Sequence, residues 1–430
     1  MAKLDEPPAP SDAEPPQAAE VADMAVPAEL VSNSVGEYLR ASLQRIKGGE
    51  TGVLPVVGGL LLVSILFQSL NDRFLTAGNL VNLLVQAAVF SLLAQGEIFA
   101  LLLGEIDLSL GFVAGLGGVV MAELVRPTVG WPWWASIVAA LAACAVIGLL
   151  QGTLITRIGL PSFVVTLAGL LFWQGVMLRI LGTGGSVLIE DNVINDIASG
   201  NLTRLAGWVV MVAVVGVFAI RTWRRDSRRR RAGLVAPPPS LTLAKILAVL
   251  AGGVAIVLLC NADRGIIKPV YGVPWVVLLV FGVLAVWTFV LGRTRFGRYV
   301  YAIGGNAEAA RRAGVNLARI RTIAFVIATF TAGIAGVVYA SRLRSISTAL
   351  DGGTLVLYAV AAAVIGGTSL FGGRGKALHG VLGGVVIAAI DNGMGLLGFA
   401  AYTKLMVTAL VLLVAVTIDA LARRGRPGGV

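Results

Sequence analysis

From residue 52 onward the chain is built of long apolar runs, each about 20 positions, separated by short polar breaks. A helix of that length crosses the ~30 Å hydrocarbon core of a bilayer. The first series of runs lies at about 52–70, 80–103, 109–125, 134–155, 160–182 and 206–220. The second lies at about 241–261, 270–292, 322–341, 355–371, 378–398 and 404–421. The pattern predicts an all-α polytopic membrane protein with 10–12 transmembrane helices in residues 49–425. The range allows for two short glycine-rich segments that need not cross fully.

Residues 1–48 differ in kind. As far as about residue 35 the chain is rich in Pro, Ala and acids, with no apolar core, and reads as a disordered tail. It has neither the basic start nor the apolar stretch of a signal peptide. Val35 to Lys47 reads as a short amphipathic helix whose basic residues favour a cytoplasmic N-terminus.

Composition agrees with the pattern. Hydrophobic residues make up 57% of the 430 and mean hydropathy is +0.87, while 13% are charged, against roughly a quarter in soluble domains. Soluble-enzyme and nucleic-acid-binding classes are thereby excluded. The net charge of +11 is concentrated in short loops, as the positive-inside rule expects. Arginines crowd 221–231, 293–321 and the C-terminus (Arg423, Arg424, Arg426), whereas 183–205 is almost free of basic residues. Alternation from a cytoplasmic N-terminus puts every basic loop inside and the C-terminus inside as well. Cys144 and Cys260 lie within or beside apolar spans without metal or disulfide spacing, and His379 is the single histidine. No metal, cofactor or catalytic constellation is indicated.

Two segments interrupt the apolar pattern, EIDLSLGFVAGLGG from Glu105 and IGGTSLFGGRGKALHGVLGG from Ile365. Gly- and Ser-broken segments in the two halves of a transporter point to broken helices and a site near the repeat interface. Close helix packing is the other reading of the same glycines. Acids in apolar spans cost energy and usually face a bundle interior or an aqueous cavity. Glu97, Glu105 and Asp107 cluster at and after the second span, and Asp391 with Asn392 is expected near the centre of the eleventh. Asn82, Gln86, Gln95, Ser109 and Trp173 complete a candidate polar pathway, its amides, carboxylates and aromatic face suited to a polyol. The alternatives are packing hydrogen bonds for Asp391–Asn392, a helix-end position for Glu105 and Asp107, and a lipid-facing or packed ring for Trp173.

The loop RTRFGRYVYAIGGNAEAARRAGVNLARIR, from Arg293, predicts a two-turn helix over Ala307–Ala313. Asn306 caps it, Glu308 suits its N-terminal dipole and Gly314 suits the position after its end. A short, capped, basic helix is a docking element; a surface helix drawn to anionic lipid is the alternative. No nucleotide-binding phosphate loop occurs, since Leu370 and Ala377 stand where that motif around Gly375-Lys376 needs other residues. If ATP drives the protein, another subunit binds it.

At this point a resemblance enters. Glu308-Ala309-Ala310 with Gly314 resembles the loop by which importer permeases engage their ATPases, although the usual downstream Ile-x-Leu-Pro is missing. GEIDLSLG (104–111), LPSFVVTLAGLLFWQG (160–175), YAIGGNAEAARRAGVN (301–316), VIGGTSLFGGRG (364–375) and DNGMGLL (391–397) are similar to the sugar permeases of bacterial ATP-binding-cassette importers. They span most of 50–420 in the family's order. The basic insertion after the sixth span and the DNGM segment tilt the resemblance to xylose-type members over ribose- or galactose-type ones. The resemblance implies a non-enzymatic inner-membrane subunit with two related halves, working as a homodimer that imports a monosaccharide, D-xylose foremost. It also implies a separate cytoplasmic ATPase docking at Asn306, Glu308, Ala309, Ala310 and Gly314, and a periplasmic sugar-binding protein. An ion-coupled secondary transporter using Glu97, Asp107 or Asp391 as relay is the competing expectation.

Overall fold

The structure, a computed structural model, describes residues 53–234, 236–265 and 269–424. The N-terminal tail, the amphipathic helix expected at 35–47 and Arg426 lie outside the described residues.

Fifteen α-helices are found among the described residues. The first five are α1 (Val53–Leu70), α2 (Ala77–Leu102), α3 (Leu110–Val125), α4 (Trp133–Thr153) and α5 (Ser162–Leu181). There follow α6 (Asn192–Ser199), α7 (Arg204–Arg231), α8 (Pro239–Asn261) and α9 (Trp275–Arg293). The basic loop contributes α10 (Arg295–Gly305) and α11 (Ala307–Arg312), and the chain ends in α12 (Leu317–Leu343), α13 (Gly352–Ile365), α14 (Ala377–Leu396) and α15 (Ala401–Arg424). Two short strands, β1 (Ser186–Leu188) and β2 (Ser345–Ser347), pair antiparallel with Val187 opposite Ile346. The loop 183–205, expected to be merely polar, therefore holds a strand and the helix α6. Its short amphipathic pattern is lost beside the long apolar runs.

Eight helices among the described residues are long and apolar enough to span a bilayer, and four apolar ones are shorter. Of the short ones, α3 and α13 flank the two interruptions. At 1.5 Å per residue they extend only about 24 and 21 Å. Two boundaries differ most from expectation. The helix α7 runs on to Arg231, so the arginines of 221–231, expected as a loop, are helical, because arginine is a good helix former. The second interruption begins at Gly366, so the short helix precedes it, and the glycine-rich helix that follows, α14, has full length.

By contact the chain divides into two units, one comprising Ala213–Gly252 among its described residues, the other Gly48–Val212 with Gly253–Val430. The larger unit is organised around α2 and α12. Almost every side chain of α2 from Gln86 onward is buried, and it packs against α12, α13, α14 and α9. The helix α12 packs in turn on α3, α4 and α6. Lipid supplies no hydrophobic drive between such helices, so close backbone approach does the work. A Cβ at Gly336 of α12 would overlap the Ala114 carbonyl of α3, and one at Gly383 of α14 the Ala362 carbonyl of α13. The lipid-facing sides carry exposed apolar residues such as Leu61, Leu62, Leu171 and Leu410.

Turns in the larger unit gather at two ends. The turns at 103–109, 154–161, 294–316 and 366–376 meet at one, here the basic end. At the opposite end β1 meets β2, Leu202 N donates to the Val273 carbonyl, and Asn71 donates to the Leu396 carbonyl at 3.1 Å.

Candidate translocation and docking sites

At the basic end each short helix is started by a side-chain cap. Thr294 Oγ1 accepts from Gly297 N (3.2 Å) to begin α10, and Asn306 Oδ1 accepts from Ala309 N (2.9 Å) to begin α11. Asn316 Oδ1 accepts from Arg319 N (2.9 Å) to begin α12. Gly314 adopts φ +82°, a left-handed conformation that ends α11 and turns the chain into α12. Ala310 is buried, while Glu308, Ala309, Arg311 and Arg312 are exposed. Glu308 pairs with Arg311 (2.9 Å) and Arg312 (3.1 Å), and these hydrogen bonds, the one from Arg311 first, hold its carboxyl below the usual carboxylate range. The expected loop thus presents a small, rigid, charged face, preceded by a second helix, α10, that the arginine-rich sequence concealed.

Behind that face the two glycine-rich interruptions meet. Gly373 N donates to the Leu102 carbonyl at the end of α2 (2.9 Å). Gly104, Gly372 and Gly373 all have positive φ, and a Cβ at Gly372 would stand 2.9 Å from both Gly104 N and the Gly304 carbonyl oxygen. Gly304 closes α10, and a Cβ there would overlap the Leu102 carbonyl. Tyr301 of α10 also donates to the Gly375 carbonyl (2.8 Å). On the other side of α11, Arg321 in the second turn of α12 pairs with Glu105 (3.1 Å). This ion pair lines a cavity of about 480 Å³ together with Thr156, Ser162 and the turn at Gly159. The short docking-type helix is therefore flanked by two attachments to the turn between α2 and α3, one through Gly304 and one through Arg321.

Next to that turn lies a buried polar cluster. Asp107 N donates to Glu97 Oε1 (3.2 Å), and Asp107 Oδ1 accepts from Ser109 Oγ (2.6 Å) and Ser109 N (3.0 Å). Gln151 of α4 donates to Ser109 Oγ (2.9 Å). Glu97, Asp107 and Ser109 are wholly buried, yet Glu97 Oε2, Asp107 Oδ2 and Trp173 Nε1 find no hydrogen-bond partner. Gly169 of α5 keeps the gap open, since a Cβ there would stand 2.5 Å from Gln151 Nε2 and 3.4 Å from Trp173 Nε1. Unsatisfied buried polar groups cost about 1–3 kcal/mol each, a cost that packing alone does not explain.

The remaining candidates lie elsewhere. Asp391 and Asn392 stand in the last third of α14, a little over one turn past its middle and toward the opposite end. Gln86 donates to Asp391, and Asn79 Nδ2 donates to Asn392 Oδ1 (2.8 Å). Lys404 of α15 reaches Asp391 (3.7 Å) and Tyr358 of α13 donates weakly to it (3.4 Å). Asn82, one turn from Gln86, lines a second cavity of about 450 Å³ with Ser199, Asn201, Arg264 and Arg342. Gln95 is fully buried with both amide atoms unpartnered, where α14 crosses at Gly380.

The candidate pathway residues thus form two groups, Glu97–Asp107–Ser109–Trp173 near the basic end and Asn82–Gln86–Asp391–Asn392 near the other. The eleven residues from Gln86 to Glu97 on α2 put about 16 Å between them. Sequence reading missed Gln151, Arg321, Arg264, Arg342, Tyr358 and Lys404. A glutamine inside an apolar run was a readable signal for Gln151. Tyr358 lies in the middle of α13, where an aromatic residue is ordinary, and the remaining four sit at or just beyond span ends, where polar residues are ordinary.

The comparisons with known proteins fit this geometry. The family profile described as branched-chain amino acid transport system / permease component matches residues 79–416. The chain belongs to this permease family. It is 34% identical over 382 residues to the xylose transport system permease protein of Escherichia coli K12, covering 88% of this chain and 94% of the relative. The xylose transport system permease protein of Haemophilus influenzae is 36% identical over 379 residues, with 87% and 98% covered. The ribose import permease protein of Escherichia coli K12 is 30% identical over 360 residues, with 84% and 91% covered. No solved structure matches. A permease is a carrier, and the chain is accordingly a multi-pass membrane transport protein.

Proposed function

We propose that the chain is the membrane-spanning subunit of an ATP-driven monosaccharide importer of the bacterial inner membrane, with D-xylose as its foremost cargo. Both termini lie in the cytoplasm. A separate ATPase docks on Glu308, Ala309 and the arginines of α11, a periplasmic binding protein delivers the sugar, and two copies of the permease work together. The observation that carries this reading is the double attachment of α11 to the α2–α3 turn. A movement imposed on α11 is passed through Gly304 to Leu102 and Gly373, and through Arg321 to Glu105, so that both glycine-rich interruptions shift together. The unpartnered hydrogen-bonding groups of Glu97, Asp107 and Trp173 beside that turn, with Asn82, Gln86 and Asp391 toward the far end, supply the polar lining that a neutral polyol needs. Likeness to xylose permeases along nearly the whole chain supports the choice of pentose, and ribose is the alternative.

The test is uptake of labelled D-xylose into proteoliposomes containing this chain with the ATPase and binding protein encoded beside it. Uptake requiring both ATP and the binding protein, and resisting excess ribose, is expected. Uptake blocked by ribose would move the sugar. Uptake by the lone chain under an ion gradient, abolished by Asp391→Asn, would replace the reading with a secondary transporter.

A further inference from the structure

Seven arginines stand on the last eleven residues of α7, Arg221, Arg224, Arg225 and Arg228 to Arg231, with Asp226 the one acid among them. This stretch is ordered. Asp226 is buried, accepts from Thr242 Oγ1 of α8 (3.0 Å) and pairs with Arg225 (2.9 Å). Arg230 Nη1 donates to the Pro237 carbonyl (2.7 Å), and its guanidinium lies 5.8 Å from the ring centre of Trp223. Asp226 is thus engaged inside the α7–α8 corner, while Arg221, Arg224, Arg228 and Arg231 remain exposed.

The depth of these arginines follows from helix geometry. Sixteen residues separate Arg204 from Arg221, a rise of about 25 Å, less than the roughly 30 Å of hydrocarbon. Arg221 therefore reaches only the edge of the apolar layer, and the next turns cross the headgroup region with Trp223, 46% exposed, among them. Tryptophan favours that interface. A guanidinium there needs an anionic partner, and its planar fork matches the oxygens of a phosphate.

We propose that the arginine-rich end of α7, held by the α7–α8 corner, is a binding platform for anionic phospholipid headgroups of the phosphatidylglycerol type, in the membrane that α7 spans. A soluble acidic protein or nucleic acid, approaching only from water, would leave the Arg221–Trp223 level unused. The proposal rests on the membrane-spanning nature of the chain and not on its cargo.

The full chain is to be reconstituted in phosphatidylcholine bilayers containing a trace of spin-labelled phosphatidylglycerol or spin-labelled phosphatidylcholine. The motionally restricted fraction of each label gives their relative association with the protein. A preference for phosphatidylglycerol of about fivefold or more is expected, as one well-placed arginine would provide, and 1 M salt should remove most of it. Replacing Arg221, Arg224, Arg228 and Arg231 together by Gln should bring the preference close to one, while replacement by Lys should retain it. Equal restriction of both lipids by the unaltered chain would overturn the proposal. So would an undiminished preference in the Gln variant, or loss from that variant of a bound soluble protein or nucleic acid while the lipid preference stays. Salt screens the arginines of 293–321 as well, so the localisation falls to the single changes Arg221→Gln and Arg228→Gln at exposed positions if the fourfold variant fails to fold: a lowered preference is expected, and an unchanged one in both would overturn the proposal.

Discussion

Asp391 shows how one side chain acquires its surroundings from three other helices. It lies on α14 and meets Gln86 from α2, Tyr358 from α13 and Lys404 from α15. Asp391→Ala leaves Gln86 without its acceptor, a loss of about 1–3 kcal/mol where the group is buried. Sugar uptake is expected to fall severalfold while the ATPase still co-purifies; unchanged uptake would confine Asp391 to packing. Glu308 is the opposite case, exposed and held by its own helix. Its lowered carboxyl pKa means that its pairing contribution is complete above the ordinary value of 4.5 and lost only as pH falls through the lower, folded value. Co-purification of the ATPase should therefore be level from about pH 8 to pH 5. The double change Glu308→Lys and Gly314→Val, by contrast, should lower it markedly at every pH, as a pull-down from membranes would reveal.

The helices meet where glycine lets backbones touch, and the turns meet where glycine lets the chain reverse. Gly336→Val would force α12 away from Ala114, at a cost of about 1–3 kcal/mol for overpacking. Thermal unfolding in detergent should register this as a lower midpoint with the helical signal otherwise kept. The Glu105–Arg321 pair joins elements of another kind, the turn after α2 and the start of α12. Arg321→Ala is expected to leave ATP hydrolysis running while sugar moved per ATP drops severalfold, and the swapped pair Glu105→Arg with Arg321→Glu should recover part of it. Equal sugar per ATP in all of these would mean that Gly304 alone transmits the movement. The caps of α10, α11 and α12 were legible as residue types, because a cap bonds within three positions of itself. The length of α10 was not, because its apolar stripe is hidden among arginines.

For the whole molecule, the order of apolar runs was enough to find every long helix, although α7 runs eleven residues past its expected end because its last three turns are polar. What could not be read was which of those helices touch. The two polar groups, expected as one polar pathway, are separated by about three turns of α2, and the partners Gln151 and Arg321 come from helices distant in sequence from Ser109 and Glu105. ATP-dependent uptake in the reconstituted system tests the assembly as a whole, and its dependence on the separate ATPase is the outcome on which the transport reading stands.

The sequence by itself determined that this chain spans a membrane many times, where its apolar runs begin and end, that α11 would be a capped basic helix, and the family it belongs to. These properties depend on composition and on contacts within a few residues, both written along the chain. Only the tertiary structure decided that Gly104, Gly304, Gly372 and Gly373 meet, that Glu105 pairs with Arg321, and that Asp391 has a lysine beside it. The glycine contacts and the Glu105–Arg321 pair join segments tens to hundreds of positions apart, and Lys404 comes from the next helix in the chain; which of many equally apolar helices pack together is set by the fit of small residues at their crossings, not by hydropathy.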